Sequence, residues 1–173
     1  MVSDLGTALM LRKLTAIYFA TATIALVLTA TSEGGSLYAA SASESASTLL
    51  SAATVYGMYA GAILFLYGTP VSLALDAATW RLKRRRPAMP DGAADRYGRD
   101  ALYIALHGVL GALPGWTFGS QWFALYGMLA AVLYGLAERW TRRRLARGRG
   151  IKCIWLTPVL LYAGLLLVLL ALD

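Results

Sequence analysis

The chain has 173 residues, of which 58% are hydrophobic, and it carries a net charge of +7. Soluble domains contain roughly 45–50% apolar residues; here the apolar residues fall in continuous blocks, which indicates a single polytopic membrane domain. The cations lie in the segments between the blocks, so no folded soluble face is left to bind nucleic acid, and we expect none as a partner.

The first apolar block follows a short polar start. Met1–Lys13 ends in two cations, and Leu14–Thr31 is an uncharged, largely apolar run of 18 residues. This length is close to the lower limit of about 17–25 residues for a transmembrane helix. A cleaved signal peptide has a similar pattern, but its apolar region usually spans about 7–15 residues. The length therefore favours a first span over residues 14–31.

The second block begins after Ser32–Ser47, a segment without Lys or Arg, as expected on the outer side of the membrane. Within it, Ser41 and Glu44 have the spacing of a capping box, which predicts a helix beginning near Ala42. The apolar part of this helix predicts a second span over residues 49–69, with an extension to residue 80.

Small residues recur every four positions in the second block, at Ala53, Gly57 and Gly61. On a helix this spacing forms a groove in which another helix can approach closely. We therefore expect Gly57 and Gly61 to lie at a helix–helix contact.

A proline marks the end of the second block. Pro70 has no N–H to donate and crowds the carbonyl of Leu66, which predicts a bend or break near Gly68. The surrounding sequence, Tyr67-Gly68-Thr69-Pro70-Val71-Ser72, resembles a motif of small uncharacterised membrane proteins of Firmicute bacteria. The resemblance is short, and that family has no assigned activity, so it implies a membrane location and no particular function.

The rest of the chain contains three further apolar blocks. They are Ala101–Phe118, Gln121–Ala137 and Cys153–Leu172, separated by predicted inner loops over residues 81–100 and 138–152. Pro114-Gly115 interrupts the third block, so the third and fourth blocks form either two full spans or a re-entrant hairpin. Gly127, Ala131 and Gly135 repeat the small-residue spacing and predict a second packing groove.

The distribution of cations predicts the orientation of the chain. Of the 16 Lys and Arg residues, two are Arg12 and Lys13, and seven lie in each inner loop, an enrichment typical of cytoplasmic segments. We therefore predict an all-α, polytopic transmembrane bundle of about five spans in the cytoplasmic membrane, with the N-terminus inside and the C-terminus outside. We also expect contacts with anionic lipid head groups from Arg81, Lys83, Arg84, Arg85, Arg86, Arg142, Arg143 and Arg144.

Two ionisable residues, Asp76 and His107, lie in or near the predicted spans, where such a residue is by default a functional-site hypothesis. We predict that they face each other in the inner half of the bundle as a proton-linked or cation-binding pair, with Tyr67 beside them. Two alternatives stay open. In the first, Asp76 is an interfacial carboxylate held by Arg81 or Lys83. In the second, His107 is a neutral histidine hydrogen-bonded to a neighbouring helix.

One enzyme signature bears comparison. Asp91-Gly92, Asp95-Arg96, Gly98 and Asp100 resemble the signature of CDP-alcohol phosphotransferases, which hold divalent metal with clustered aspartates at the inner face. That signature requires Ala before its Arg, where Asp95 stands, and a longer spacing from its Arg to the next Gly. One cysteine and one histidine also exclude an intramolecular disulfide and a haem held by paired histidines. We predict no catalytic residues, no metal site and no cofactor.

The two small-residue grooves favour a non-enzymatic membrane protein that acts through helix contacts, as an accessory subunit or an immunity-type partner. Its partner would be another membrane protein or a second copy of the chain. The alternative is a small carrier or channel that uses Asp76 and His107, and a lipid head-group enzyme is a third possibility.

Overall fold

The computed structural model describes residues 2–32, 41–85 and 93–171, and the regular structure of these residues is helical throughout. The helices are α1 (Val2–Ser32), α2 (Ala42–Ile63), α3 (Thr69–Arg85), α4 (Ala93–Thr117), α5 (Gln121–Ala146) and α6 (Lys152–Ala171), and a π-helical segment, Leu64–Gly68, joins α2 to α3. The predicted all-α fold is confirmed for this part of the chain.

Helix α2 begins at the predicted capping box. The carboxylate of Glu44 accepts hydrogen bonds from the backbone N–H and the hydroxyl of Ser41, at 3.1 and 2.9 Å. Such a bond satisfies a donor that the start of a helix would otherwise leave free. The helix accordingly begins at Ala42, as predicted.

Helix α1 packs antiparallel to α2 along the first small-residue groove. A Cβ atom added at Gly61 would lie 3.4 Å from Cγ2 of Thr21, and one added at Gly57 would lie 3.8 Å from Cβ of Ala25. The pairs advance in opposite directions along the two helices, so the helices are antiparallel. This groove is thus occupied from within the chain.

Helix α5 is also antiparallel to α1. Arg12 near the start of α1 bonds Glu138 in the second half of α5, whereas Thr31 at the end of α1 bonds Tyr126 near the start of α5.

Helix α6 runs parallel to α1. The indole N–H of Trp155 donates to Thr15, and the hydroxyl of Tyr162 donates to the carbonyl of Ala22. The relative directions of α1, α2, α5 and α6 are those that five alternating spans require.

Helices α4 and α5 form an antiparallel hairpin with the most extensive contact in the described chain. Its turn contains Gly119, whose φ of 68° lies in the left-handed region that favours glycine. The backbones touch at Gly111 and Gly127, where a Cβ on either residue would collide with the carbonyl of the other. In the same groove Ala131 adjoins Gly111, and a Cβ at Gly135 would lie 3.5 Å from His107.

The break predicted near Gly68 takes the form of the π-helical segment. The N–H of Thr69 bonds the carbonyl of Leu64, five residues back, instead of four. Pro70 cannot donate to the carbonyl of Leu66 and its ring crowds that carbonyl. One wider turn accommodates the proline, and the chain continues as α3.

The predicted interruption at Pro114-Gly115 is wrong. Helix α4 continues through Pro114 to Thr117, although the missing N–H leaves the carbonyl of Leu110 without its helical donor. The hydroxyl of Tyr67 donates to this carbonyl at 2.8 Å. Helices α4 and α5 contain 25 and 26 residues, and both include charged stretches that lie outside the apolar blocks 101–118 and 121–137.

Helical structure extends into both predicted inner loops, 81–100 and 138–152. Helix α3 continues to Arg85, α4 begins at Ala93 and α5 continues to Ala146. Arg and Lys are good helix formers, and cations near a helix C-terminus interact favourably with its dipole. A basic composition therefore marks the predicted inner side without ending the helices. Helix α1 begins at Val2, before the predicted span over residues 14–31.

Two helical stretches in the described chain, Gly6–Ser32 and Glu44–Arg81, are long and apolar enough to cross a membrane, and α6 contributes a shorter apolar stretch, Lys152–Leu165. The finding rests on length and composition and supports membrane association. A five-span arrangement goes beyond it and is a proposal.

Candidate functional site

Polar side chains from four helices meet at one end of the bundle. This is the end at which the sequence predicts the cytoplasm, because each residue adjoins the predicted inner end of an apolar block. We call this group the charged cluster; its members are Arg12 and Lys13 of α1, Ser72 and Asp76 of α3, Tyr103 of α4 and Glu138 of α5.

Glu138 lies at the centre of the charged cluster and is 2% exposed. Its Oε1 accepts from Lys13 Nζ at 2.7 Å and from Arg12 Nη2 at 2.8 Å. Its Oε2 accepts from the hydroxyls of Ser72 at 2.6 Å and Tyr103 at 2.9 Å. A buried carboxylate is tolerated when both oxygens are bonded and an opposite charge is adjacent, and Glu138 meets both conditions.

Asp76 is the second carboxylate of the charged cluster. Its Oδ2 accepts from Lys13 Nζ at 2.8 Å and from Arg12 Nη2 at 3.1 Å. Ser72 lies four residues earlier, on the same face of α3, so both side chains reach Lys13. Two cations thus balance two carboxylates, which leaves the four ionisable groups with no net charge.

A second set of contacts joins α4 to α5 beside the charged cluster. The guanidinium of Arg139 lies 3.5 Å from the ring centroid of Tyr103 and 3.4 Å from the carboxylate of Asp100. Arg143, one turn later on α5, also pairs with Asp100. These contacts hold Tyr103 in the position from which it donates to Glu138.

The predicted pair of Asp76 and His107 does not form. Asp76 bonds Arg12 and Lys13 instead, and Nδ1 of His107 lies 3.0 Å from the carbonyl of Tyr103, one turn earlier on the same helix. Helix α3 directs Asp76 towards α1, where two cations attract it more strongly than one imidazole would. The alternative that Arg81 or Lys83 holds Asp76 did not include these partners on α1; the side chain of Lys83 is outside the described part of the chain.

His107 is a buried neighbour of the charged cluster. It is 2% exposed, and its ring lies between those of Tyr103 and Tyr134, at centroid distances of 4.3 and 5.9 Å. Because Nδ1 faces a carbonyl oxygen, the neutral ring carries its proton there. Nε2 is then an acceptor, and it has no hydrogen-bond partner among the described residues.

Tyr67 has a local role that the sequence analysis missed. Its hydroxyl donates a hydrogen bond to the carbonyl of Leu110, which lacks a helical donor because of Pro114. The presence of Pro114 in the sequence indicates that this carbonyl needs another donor, although it does not identify Tyr67. We expect Tyr67→Phe to destabilise the protein by about 1 kcal/mol, because a partly buried carbonyl is left unpaired. The measurement is the thermal midpoint of the purified protein in detergent.

A matched background isolates the effect of Tyr67. In Pro114→Ala, the new N–H of residue 114 can bond the carbonyl of Leu110 within the helix, so the same Tyr67→Phe change should cost less there. An equal cost in both backgrounds would mean that Tyr67 acts through packing and not through this bond.

Of the residues predicted to contact lipid, those that the structure describes lie at the same end of the bundle as the charged cluster. Arg81, Arg84, Arg142 and Arg143 are exposed, and Arg144 is half-buried and donates to the carbonyl of Gly150 at 3.0 Å. Arg84 also lies over the ring of Trp80. Arg86 lies outside the described residues, as do Asp91 and Gly92 of the phosphotransferase-like pattern, and the side chains of Lys83, Arg85, Asp95 and Arg96 are not described.

The chemistry available to the charged cluster is that of paired charges. Both carboxylates are already neutralised by cations of α1, and in the described residues no group of three or more His, Cys, Asp or Glu side chains is placed to hold a metal ion. One feature of the sequence points to Glu138 as a member of the charged cluster. It is the single acidic residue of the predicted loop 138–152, and it directly follows the predicted fourth span.

No family model matches the chain, and no curated protein or solved structure shows significant similarity to it. The resemblance of Tyr67–Ser72 to small Firmicute membrane proteins therefore stays a prediction.

Proposed function

We propose that the chain is a five-span, non-enzymatic protein of the cytoplasmic membrane that acts through helix contacts with another membrane protein, as an accessory subunit or an immunity-type partner. The N-terminus lies inside and the C-terminus outside. The helix directions support this arrangement, because residues predicted to lie at the inner surface, such as Arg12 and Glu138, are in contact.

Cysteine labelling tests the orientation. In a Cys153→Ala background, Gln121→Cys at the start of α5 should react with an impermeant thiol reagent added to intact cells. Arg147→Cys, just beyond the other end of α5, should react only after the membrane is permeabilised. Both residues are exposed, so access to the reagent depends on the side of the membrane. Labelling of Arg147→Cys in intact cells would reverse the proposed orientation.

The partner surface lies elsewhere than in the two small-residue grooves. Gly57 and Gly61 pack against α1, and Gly127 and Gly135 pack against α4. An outward face of α2 remains uncovered, on which Val55, Tyr59 and Ile63 recur every four residues and are all exposed.

The exposed hydroxyl of Tyr59, unpaired in the described part of the chain, is the observation that supports this proposal best. Tyr59 lies at the middle of the predicted span 49–69, its side chain is 71% exposed, and its hydroxyl has no hydrogen-bond partner among the described residues. Hydrocarbon offers no acceptor, so an unpaired hydroxyl at this depth costs free energy. A neighbouring transmembrane helix that presents a carbonyl or hydroxyl oxygen would remove this cost, and such bonds join helices in membranes.

Photo-crosslinking tests the partner face. A photoreactive side chain in place of Ile63 should yield a discrete protein adduct in native membranes, and Tyr59→Phe should weaken it by about 2–10-fold, the value of one hydrogen bond of about 0.5–1.5 kcal/mol. The matched control is Leu160 of α6, which is 67% exposed and should react with lipid alone. Lipid adducts at both positions would contradict the proposal. An adduct with the mass of two copies would identify the partner as the chain itself.

A small carrier or channel is the second candidate. The observation in its favour is the charged cluster, because ionisable residues buried in membrane proteins mark ion pathways, and Glu138 and Lys13 are 2% and 5% exposed. Purified protein in vesicles should then conduct protons or monovalent cations faster than protein-free vesicles, and Ser72→Ala should slow the flux. Equal flux in the two kinds of vesicle would exclude this candidate.

A further inference from the structure

The ammonium group of Lys13 lies in a site built from oxygen atoms. Its Nζ is 2.7 Å from Glu138 Oε1, 2.8 Å from Asp76 Oδ2 and 2.5 Å from Ser72 Oγ. Three acceptors match the three N–H donors of an ammonium group. The site is therefore complete for a primary ammonium ion, both in the number of its acceptors and in their hydrogen-bonding distances.

The charges around Lys13 select the class of cation. Without the lysine, Asp76 and Glu138 contribute −2 and Arg12 contributes +1, so the site carries one net negative charge. A monovalent cation restores neutrality, whereas a divalent ion would leave an excess positive charge. Three oxygen ligands are also fewer than the roughly six to eight that Ca²⁺ requires.

The site is enclosed on one side and open on the other. Ser72 is fully buried and Glu138 is 2% exposed, whereas the side chain of Asp76 is 25% exposed. A cation from solution can therefore reach the site at its Asp76 edge. The enclosed side provides the desolvated surroundings in which an ion pair is stronger than in water.

We propose that Ser72, Asp76 and Glu138 form a binding site for a small monovalent cation, and for a primary ammonium ion in particular, which Lys13 occupies as a tethered ligand. The proposal concerns binding alone. It requires neither the partner proposed for α2 nor transport, so the failure of either would leave it standing.

Replacement of the tethered ligand by a free one tests the proposal. Lys13→Ala removes the side-chain atoms beyond Cβ, which are those of n-propylammonium. The full-length variant in detergent is titrated with n-propylammonium chloride, and with choline chloride to match ionic strength. The thermal midpoint of Lys13→Ala should rise by about 5 °C or more as n-propylammonium saturates the site, and choline should not raise it. The unmodified protein should respond to neither salt specifically, because its site is occupied.

The charge-balanced variant Lys13→Ala/Glu138→Gln is the matched control. Its remaining charges, on Arg12 and Asp76, cancel, so it should be more stable than Lys13→Ala without added cation and should not respond to n-propylammonium. The proposal is overturned if Lys13→Ala responds equally to the two salts, or if the control responds as strongly as Lys13→Ala.

A folding failure of Lys13→Ala is also decisive. If the variant does not fold alone, the proposal expects folded protein when cells are lysed and the protein is purified in n-propylammonium, and expects the charge-balanced variant to fold without it. Failure of both variants under these conditions would show that the residual negative charge is not what the lysine neutralises, which overturns the proposal.

Discussion

Replacing Glu138 by glutamine should destabilise the folded protein by about 3–5 kcal/mol, because it removes one partner of a buried ion pair and leaves the others charged. Arg12 and Lys13 would then share Asp76 as their nearest counter-charge. Glutamine keeps the shape of the side chain, so the loss is electrostatic and not a cavity effect. For a chain of this length the thermal midpoint in detergent should fall by about 10 °C.

Two variants serve as controls for Glu138→Gln. Lys13→Met/Glu138→Gln restores the charge balance and should recover most of the lost stability, since an apolar replacement of a whole buried pair is often close to neutral. Arg143→Gln removes a side chain that is 44% exposed where it pairs with Asp100, and it should cost less than about 1 kcal/mol. Equal thermal midpoints for Glu138→Gln and Arg143→Gln would mean that the charged cluster has no special energetic role.

Gly115→Ala should destabilise the α4–α5 hairpin by about 3 kcal/mol, the upper end of the usual range for overpacking. A Cβ atom at residue 115 would collide with the backbone N and Cα of Ala124 and lie 2.6 Å from the carbonyl carbon of Phe123. Backbone atoms cannot rotate away as a side chain can, so the two helices must separate. The fraction of monodisperse protein after heating in detergent measures the effect.

Gly164→Ala is the control for this prediction, because it makes the same change inside helix α6. A Cβ atom at residue 164 would meet no atom within 4 Å, so the substitution should stabilise the protein by up to about 1 kcal/mol through helix propensity. The two alanine variants are thus expected to differ in sign. Destabilisation of similar size in both would mean that helix propensity and packing do not govern these positions as described.

Much of the fold could be predicted because the signals for it are local. The capping box of Ser41 and Glu44 lies within one helical turn, and it placed the start of α2 correctly. Pro70 acts on the carbonyl four residues earlier, so the disturbance near Gly68 was also predictable. Pro114 was misjudged because its effect depends on a distant residue, Tyr67, whose hydroxyl replaces the lost helical donor.

The charged cluster could not be predicted, because its contacts depend on rotation about the helix axes. The sequence indicates the depth of a residue from its position relative to an apolar block, and this depth is similar for Asp76, His107 and Glu138. The direction in which each side chain points is set by packing between helices distant in sequence. Asp76 was therefore assigned to His107, at a compatible depth, when its partners lie on α1.

The pairing of α1 with α5 has a consequence for the order of assembly during synthesis. Arg12 and Lys13 leave the ribosome long before their partners: Asp76 follows Arg12 by 64 residues and Glu138 follows it by 126. At about 5–20 residues per second, Glu138 arrives roughly 6–25 seconds later. Asp76 is made first and can pair with both cations before Glu138 exists. In the orientation proposed above, water and lipid head groups at the inner surface supply the remaining contacts until Glu138 is made. The bundle therefore closes around α1 only when the α4–α5 hairpin has been made, and a nascent chain that ends before Glu138 carries α1 with its charges incompletely paired.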